Sequence, residues 1–324
     1  MNGSGEVAVE AAGVRAEWED VPAELRGEVE TYLGGTVVEA RTQRGGFSPG
    51  VAARLRLADG RRAFVKAVSA AANPDSPGIH RTEAKVAAAL PPQVPAPRLH
   101  ASFESDGWVL LLFEDVEGRP PAQPWAPAEL TRVLAAVADL ATLLTPSPVA
   151  APPVAAKAEM FSGWRTLAAD HAAGTDDLTG LEPWAVRHLA ELAALESGWA
   201  DAASGDTLAH ADLRADNLLL TADGRVMVVD WPWACVAAPW FDLLLMLPSV
   251  AMQGGPHPAE IFDRHPVAAG ADPAGVTAVV AAVAGFMLGH ARRPAPPGLP
   301  TLRAFQRAQG VVALDWLRTR TGWS

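Results

Sequence analysis

The sequence predicts an α+β protein in two unequal halves. A β-rich part runs to about residue 112, a linker follows at 113–118, and the remainder, 119–324, is mostly helical. Three observations carry this reading. Up to Glu114 the apolar residues come in short strand-like runs separated by turn residues, with one helical stretch among them. From Leu130 onward they recur at helical spacing. Set inside the helical half is a short β unit that carries the chain's densest group of chemistry-bearing residues.

In order along the chain, residues 1–20 show no clear periodicity and are expected to be partly mobile. Strands are expected within Val37–Leu57 and over Arg62–Val68, turned by Ala58-Asp59-Gly60. A helix over Arg81–Leu90 carries Glu83, and strands follow at Leu99–Phe103 and Trp108–Glu114. Leu130, Val133, Leu134, Val137, Leu140 and Leu144 keep helical spacing. So do Trp184, His188, Leu192 and Leu195, behind Pro183 in a first-turn position. Pro146, Pro148, Pro152 and Pro153 punctuate a loop between these two stretches. The internal β unit comprises Thr207–Ala209, Asn217–Thr221, the turn Ala222-Asp223-Gly224, and Arg225–Asp230. Helices then occupy about 239–252, 274–290 and 300–319.

The composition excludes several classes. With 324 residues and about half of them apolar, the chain can bury substantial cores. A net charge of −11 without a dense Lys/Arg block argues against nucleic acid. Pro273–Gly289 is uncharged but shorter than the ~20 residues of a spanning helix, so it reads as a buried helix and no membrane partner is expected. Acidic Glu6, Glu10, Glu17 and Glu19 do not make a signal peptide, and the lone Cys235 suits a reducing compartment, so the expected location is cytoplasmic. The sequence sets no oligomeric state.

The central constellation is His210-Ala-Asp212-Leu-Arg214-Ala-Asp-Asn217, followed thirteen residues later by Asp230 at the end of an apolar strand. Asp212 is placed to take a hydroxyl proton. The Asn217 amide oxygen and the Asp230 carboxylate are hard donors suited to Mg²⁺ carried on nucleotide phosphates. Each residue alone would read as a turn or strand-end cap, but the joint spacing points to phosphoryl transfer. Arg214 either meets the transferring phosphoryl group or makes a structural salt bridge. His210 is expected to brace the loop rather than move protons. Lys66, in the alternating run Ala63–Val68, needs anions if buried: phosphates, and either Glu83 or Glu104.

These segments resemble the aminoglycoside phosphotransferase family, small-molecule relatives of the protein kinases. The resemblance rests on the His210–Asn217 loop, on Asp230-Trp-Pro-Trp-Ala234 with Pro239-Trp-Phe-Asp242-Leu243, and on Gly45-Gly46, Lys66 and Glu83. It implies a two-lobed protein-kinase-like fold with ATP or GTP in the cleft. Gly45, Gly46 and Ser48 would face phosphates, and the backbone of Glu114 and Val116 would read the purine edge. Phe113 would sit at the bulky position beside the base, and Asp242 would brace the catalytic loop. The glycine turn departs from the kinase G-x-G-x-x-G.

The resemblance implies transfer of a γ-phosphate to a hydroxyl of a small molecule, an antibiotic such as an aminoglycoside or an endogenous amino-alcohol or sugar. A protein kinase is a weaker alternative: only eleven residues separate Asp230 from Asp242, too few for an activation loop. An inactive nucleotide-binding scaffold would not need Lys66, Asp212, Asn217 and Asp230 all intact. Residues 159–206 hold nine acids against two bases, where the family builds its acceptor pocket, whereas residues 231–324 hold five acids against seven arginines. Trp164, Trp231, Trp233 and Trp240 could stack on a sugar or cation or fill the core.

Overall fold

The computed structural model describes residues 14–43, 45–47 and 50–324, so Arg44, Ser48, Pro49 and residues 1–13, with Glu6 and Glu10, lie outside it. The N-terminal lobe is a six-stranded sheet of β1 (Arg15–Ala16), β2 (Val37–Thr42), β3 (Gly50–Leu57), β4 (Arg62–Ser69), β5 (Leu99–Ser105) and β6 (Trp108–Phe113). Its order is β1-β3-β4-β6-β5, with β2 pairing the part of β3 that β1 leaves open. Helices α1 (Ala23–Leu33) and α2 (Ser76–Ala89) belong to the same lobe.

Period-two alternation decides what each face of β4 does. Ala63, Val65 and Ala67 join Trp18, Leu25 and Val29 in one core, on the α1 side. Phe64 and Val68 belong to a second small cluster with Val109, Leu111 and Phe113. Lys66 lies between Phe64 and Val68 on that same face, opposite Ala52 and Leu111 in the neighbouring strands, so it is a central-strand residue and not an edge charge. Gly50 is forced at the start of β3: its φ is 126°, and a Cβ there would lie 2.4 Å from the Ala67 carbonyl oxygen.

The C-terminal lobe begins with α3 (Pro127–Leu143) and continues through α4 (Gly163–Ala172), α5 (Pro183–Arg187), α6 (Leu189–Ser197) and α7 (Trp199–Ala202). Two short antiparallel pairs follow: β7 (Thr207–Ala209) with β10 (Cys235–Ala237), and, between them in the chain, β8 (Leu218–Leu220) with β9 (Val226–Val228). Helices α8 (Phe241–Met252), α9 (Pro258–Phe262), α10 (Pro273–Ala291) and α11 (Leu302–Thr321) complete the lobe. Helix α10 is long and apolar enough to cross a membrane by length and composition, but it packs inside the bundle against α4, α6, α7 and α11. Its crossing with α4 requires two glycines, since a Cβ on Gly163 would lie 1.9 Å from the Gly285 carbonyl oxygen.

The chain crosses between lobes after Phe113, the last residue of β6. Glu114 N–H donates to Arg98 at 2.9 Å, and Arg119 and Leu220 exchange both backbone hydrogen bonds. Buried Asp115 lies between Arg54 and Arg62, at 3.3 and 3.4 Å, which ties the crossing to the sheet.

Several expectations need correction. Within the supposedly aperiodic first twenty residues, β1 pairs with β3 and Trp18 is buried. Helix α2 starts at Ser76, five residues before the expected Arg81, behind Asp75 and with Pro77 in its first turn. The helix expected through Trp184–Leu195 breaks at His188, whose ring reaches the Ser324 carbonyl at 3.0 Å. Trp164, Trp231 and Trp240 are core residues, so no stacking surface exists at those three.

Candidate active site

Two turns hold the chemistry, and each contains a non-glycine residue in the left-handed region: Ala211 at φ 62° and Asp230 at φ 71°. Such backbone costs about 1–3 kcal/mol and persists only where neighbours impose it. Asp242, in the first turn of α8, accepts the N–H groups of His210 and Ala211, both at 2.7 Å. The buried His210 ring then ties one turn to the other. Its Nε2 donates to Val229 O at 2.9 Å, and its Nδ1 accepts the Asp212 N–H at 3.2 Å. That pattern uses the neutral ring, and burial lowers the His210 pKa accordingly.

Asp212 emerges from this braced turn. One carboxylate oxygen receives Arg214 and the other receives Asn217 Nδ2 at 3.2 Å. Burial raises its pKa to about 6, against the opposing pull of Arg214. Arg214 is itself gripped by Asp216 through two bonds at 3.0 Å, with Phe47 and Phe305 rings 5.6 and 5.8 Å from its guanidinium. In this state Arg214 is a salt-bridge residue that also lines the cavity beside Asp212.

Asn217 Nδ2 also donates to the Asp212 carbonyl at 2.8 Å, which leaves Oδ1 as its outward group. Lys66 Nζ lies 2.6 Å from both Glu83 and Asp230. Burial works against the ammonium, but the two carboxylates outweigh it and its pKa is raised. Across the same ammonium, burial raises Glu83, whereas Lys66 overcomes burial to lower Asp230. Glu104, the other candidate, instead pairs with Arg81 at 2.8 Å. No group of three or more His, Cys, Asp or Glu could hold a metal among the described residues. An ionised Asp230 and an amide oxygen at Asn217 are two hard donors, which fits an ion whose remaining ligands are phosphate oxygens and water.

These residues lie between two cavities. The smaller, about 260 Å³, opens between the lobes and is lined by Gly45, Gly46, Lys66, Phe113, Glu114, Val116 and Asn217. The larger, about 540 Å³, is lined mostly by the C-terminal lobe, with Asp212 and Arg214, and on one side by Phe47 and α2 residues of the N-terminal lobe such as Ile79. Asp230 and Phe47 line both. Gly46 has φ 84°, a conformation that favours glycine. Ser48 falls outside the described residues.

Against this geometry, the description "Phosphotransferase enzyme family" matches residues 44–278. The chain belongs to that family. No curated protein matches it. The solved structures give the fold. An aminoglycoside phosphotransferase APH(4)-Ia, in a ternary complex with ADP and hygromycin B, aligns at 16% identity and TM-score 0.60, over 93% of this chain and 100% of that one. The Plasmodium vivax ethanolamine kinase aligns at 12% and 0.56, over 92% and 86%. The choline kinase LicA from Streptococcus pneumoniae aligns at 12% and 0.51, over 90% and 98%. The fold is therefore two-lobed and protein-kinase-like, and by its family the chain is a phosphotransferase.

In this phosphotransferase, three further residues line the candidate site that sequence reasoning did not single out. Arg15, in β1, lines the smaller cavity within electrostatic range of Asp230 and Asp216, and it donates to the Gly45 carbonyl. His80 lies on α2 one turn before Glu83 and is held neutral, with burial and Lys66 lowering its pKa to about 3. Lys157 sits 5.5 Å from the Trp233 ring in the larger cavity. His80 could have been found from its helical spacing to Glu83, but Arg15 sits in a two-residue strand that has no periodic signature.

The acidic segment does not do what its charge suggested. None of the nine acids in residues 159–206 lines the larger cavity. Glu196 is fully buried and caps α4, accepting Trp164 N–H at 3.0 Å and Arg165 N–H at 2.9 Å. Glu182 caps α5, and Asp176 pairs with Arg292.

Proposed function

We propose that this enzyme transfers the γ-phosphate of ATP or GTP to a hydroxyl of a small molecule held in the larger cavity, in the cytoplasm and with Mg²⁺ on the nucleotide. One observation carries the reading: Asp212 and Asp230 stand on adjoining turns where the two cavities meet. An acceptor hydroxyl on one side and a phosphate chain on the other would then face each other across the carboxylates.

The roles follow from the geometry. Asp212, ionised above about pH 6, orients the hydroxyl and takes its proton as the new P–O bond forms. Lys66, buried between Glu83 and Asp230, carries a fixed positive charge toward the phosphates. The Gly45 and Gly46 backbone and Arg15 supply further donors on that side. Arg214 keeps Asp212 charged and offers its guanidinium to the transferring group. Asn217 and Asp230 would hold Mg²⁺, which when bound neutralises phosphate charge. The Glu114 C=O and Val116 N–H meet the purine edge, beside Phe113. His210 and Asp242 hold the turn that aims Asp212.

The test is an acceptor screen of hydroxylated antibiotics, amino-alcohols, sugars and hydroxy acids with MgATP and MgGTP. Nucleoside diphosphate release is followed, and the product is identified by mass. Acceptor-dependent turnover that disappears in Asp212→Asn supports the reading. Turnover that persists undiminished in that variant removes Asp212 from the chemistry. Whether the role lies in antibiotic resistance or in metabolism follows from which acceptor is turned over.

A further inference from the structure

We propose that the acceptor is a hydroxy compound with an apolar body and an anionic group, and that Arg303 on α11 binds that anion with Gln306 and Gln309 beside it. This rests on the phosphotransferase reading for the hydroxyl and goes beyond it for the rest of the molecule.

The family match ends at residue 278, yet the wall of the larger cavity opposite the catalytic loop comes from residues 286–309. That wall therefore lies outside the family match. Three observations define the wall. First, apart from Asp212 and Asp230, the one carboxylate lining the cavity among the described residues is Asp75, which is solvent-exposed. A polycation would find no buried countercharge beyond the two catalytic carboxylates, and these are already engaged by Arg214 and Lys66.

Second, Arg303 is present without a carboxylate of its own. Arg303 donates to the Pro294 carbonyl at 3.0 Å and to Gln306 Oε1 at 2.8 Å, and it makes no ion pair among the described residues. Its pKa is lowered, by burial first and by Arg293 second, with no anion pulling the other way. Lys157, also in the lining, likewise makes no ion pair among the described residues; it lies 5.5 Å from the Trp233 ring, with Asp212 and Asp242 within electrostatic range. A partly buried guanidinium that lines a cavity and has no carboxylate partner is a ready donor for an anionic group that enters.

Third, α11 aligns polar side chains at helical spacing. Arg303, Gln306 and Gln309 fall three residues apart and all line the cavity. Gln306 accepts from Arg303, which leaves its amide NH₂ as a donor. Gln309 is 2% exposed and has no hydrogen-bond partner among the described residues. No acidic residue occupies the first turn of α11, whose N-terminal end favours negative charge. Around this group the lining is apolar, with Phe161 stacked on Phe286 at 4.8 Å and with Trp233 and Leu299 nearby.

The experiment uses the full chain and three matched probes that share an aromatic ring and a primary alcohol: 4-(hydroxymethyl)benzoic acid, 4-(hydroxymethyl)benzamide and 4-(aminomethyl)benzyl alcohol. Binding is measured by calorimetry with and without a non-hydrolysable MgATP analogue, in wild type, Arg303→Gln and Arg303→Lys. The carboxylate probe should bind at least about tenfold more tightly than the other two, as expected for a charge-assisted bond. Arg303→Gln should abolish that preference without changing affinity for the nucleotide analogue, and Arg303→Lys should restore part of it. Tightest binding by the ammonium probe, an unchanged ranking in Arg303→Gln, or no binding of any probe would overturn the proposal. Diphosphate release is read in parallel. A carboxylate preference without turnover would leave this inference standing and count against the catalytic reading instead.

Discussion

The pH dependence of turnover tests the geometry around Asp212 most directly. Burial raises this carboxyl to about 6, well above the usual aspartate range, and Arg214 is the group that keeps it from rising further. A general base must be ionised to accept a proton, so kcat/KM should rise with pH through an acid limb near 6 and level off above it. At pH 5, one unit below, about a tenth of the base is ionised, and activity should be about tenfold below the plateau. Replacing Arg214 by Gln removes the nearest opposing charge. The limb should then move upward by about one unit or more, because an adjacent guanidinium typically lowers an aspartate by that much. Asp212→Asn should lower the plateau by roughly 10²–10⁴ and erase the limb. Any pH dependence left in that variant belongs to the nucleotide phosphates and is subtracted. The assay is initial diphosphate release from pH 4.5 to 9 at constant ionic strength with one accepted acceptor. A limb that stays in place in Arg214→Gln, or moves down, would refute the electrostatic coupling of these two residues.

Further predictions concern the surrounding residues. Asp230→Ala should abolish the Mg²⁺-dependent part of nucleotide binding and Asn217→Ala weaken it less, since a carboxylate brings a full charge and an amide a dipole; equal metal dependence in both variants and wild type, measured by titration with and without Mg²⁺, would remove them as ligands. Asp242→Ala leaves two buried N–H groups without an acceptor, at about 1–3 kcal/mol each, so Tm should fall by several degrees and kcat should fall more than nucleotide affinity. Unchanged kcat in that variant would show that the left-handed turn at Ala211 holds itself. Phe113→Met should raise ATP use relative to GTP by about 10–200-fold if the ring abuts the base, and an unmoved kcat/KM ratio would place Phe113 in the core alone.

The candidate catalytic residues were legible because their constraints are local. A five-residue spacing from Asp212 to Asn217 and a strand-ending Asp230 survive any arrangement of the rest of the chain. The alternation of Ala63, Val65 and Ala67 with Lys66 likewise announces which side of β4 faces the cleft. Helix α1 carried signals that were passed over: Pro22 before it, Leu25 and Val29 four apart, and Gly34 in the left-handed C-terminal position at φ 63°. Arg15 carried none, since its position depends on a parallel pairing with Gly50 across thirty-five residues.

The acceptor side was illegible for a different physical reason. Net charge along a segment says how many carboxylates it has, not which way helices turn them. Glu196 faces inward and is spent on α4, while Asp176 is spent on Arg292, so an acid-rich stretch built an apolar cavity wall. The polar side chains on the cavity's α11 wall come from a helix far along the chain, and they are one cation and two amides, Arg303, Gln306 and Gln309, where the acidic stretch implied carboxylates. Phe305 of that helix meets Phe47 of the glycine turn edge-on at 4.9 Å, with Arg214 beside both rings. The helix that defines acceptor chemistry thus also closes against the turn expected to hold phosphates. Substitutions on the inner face of α11 should therefore change acceptor choice first, and those at Phe305 should disturb acceptor and nucleotide affinity together.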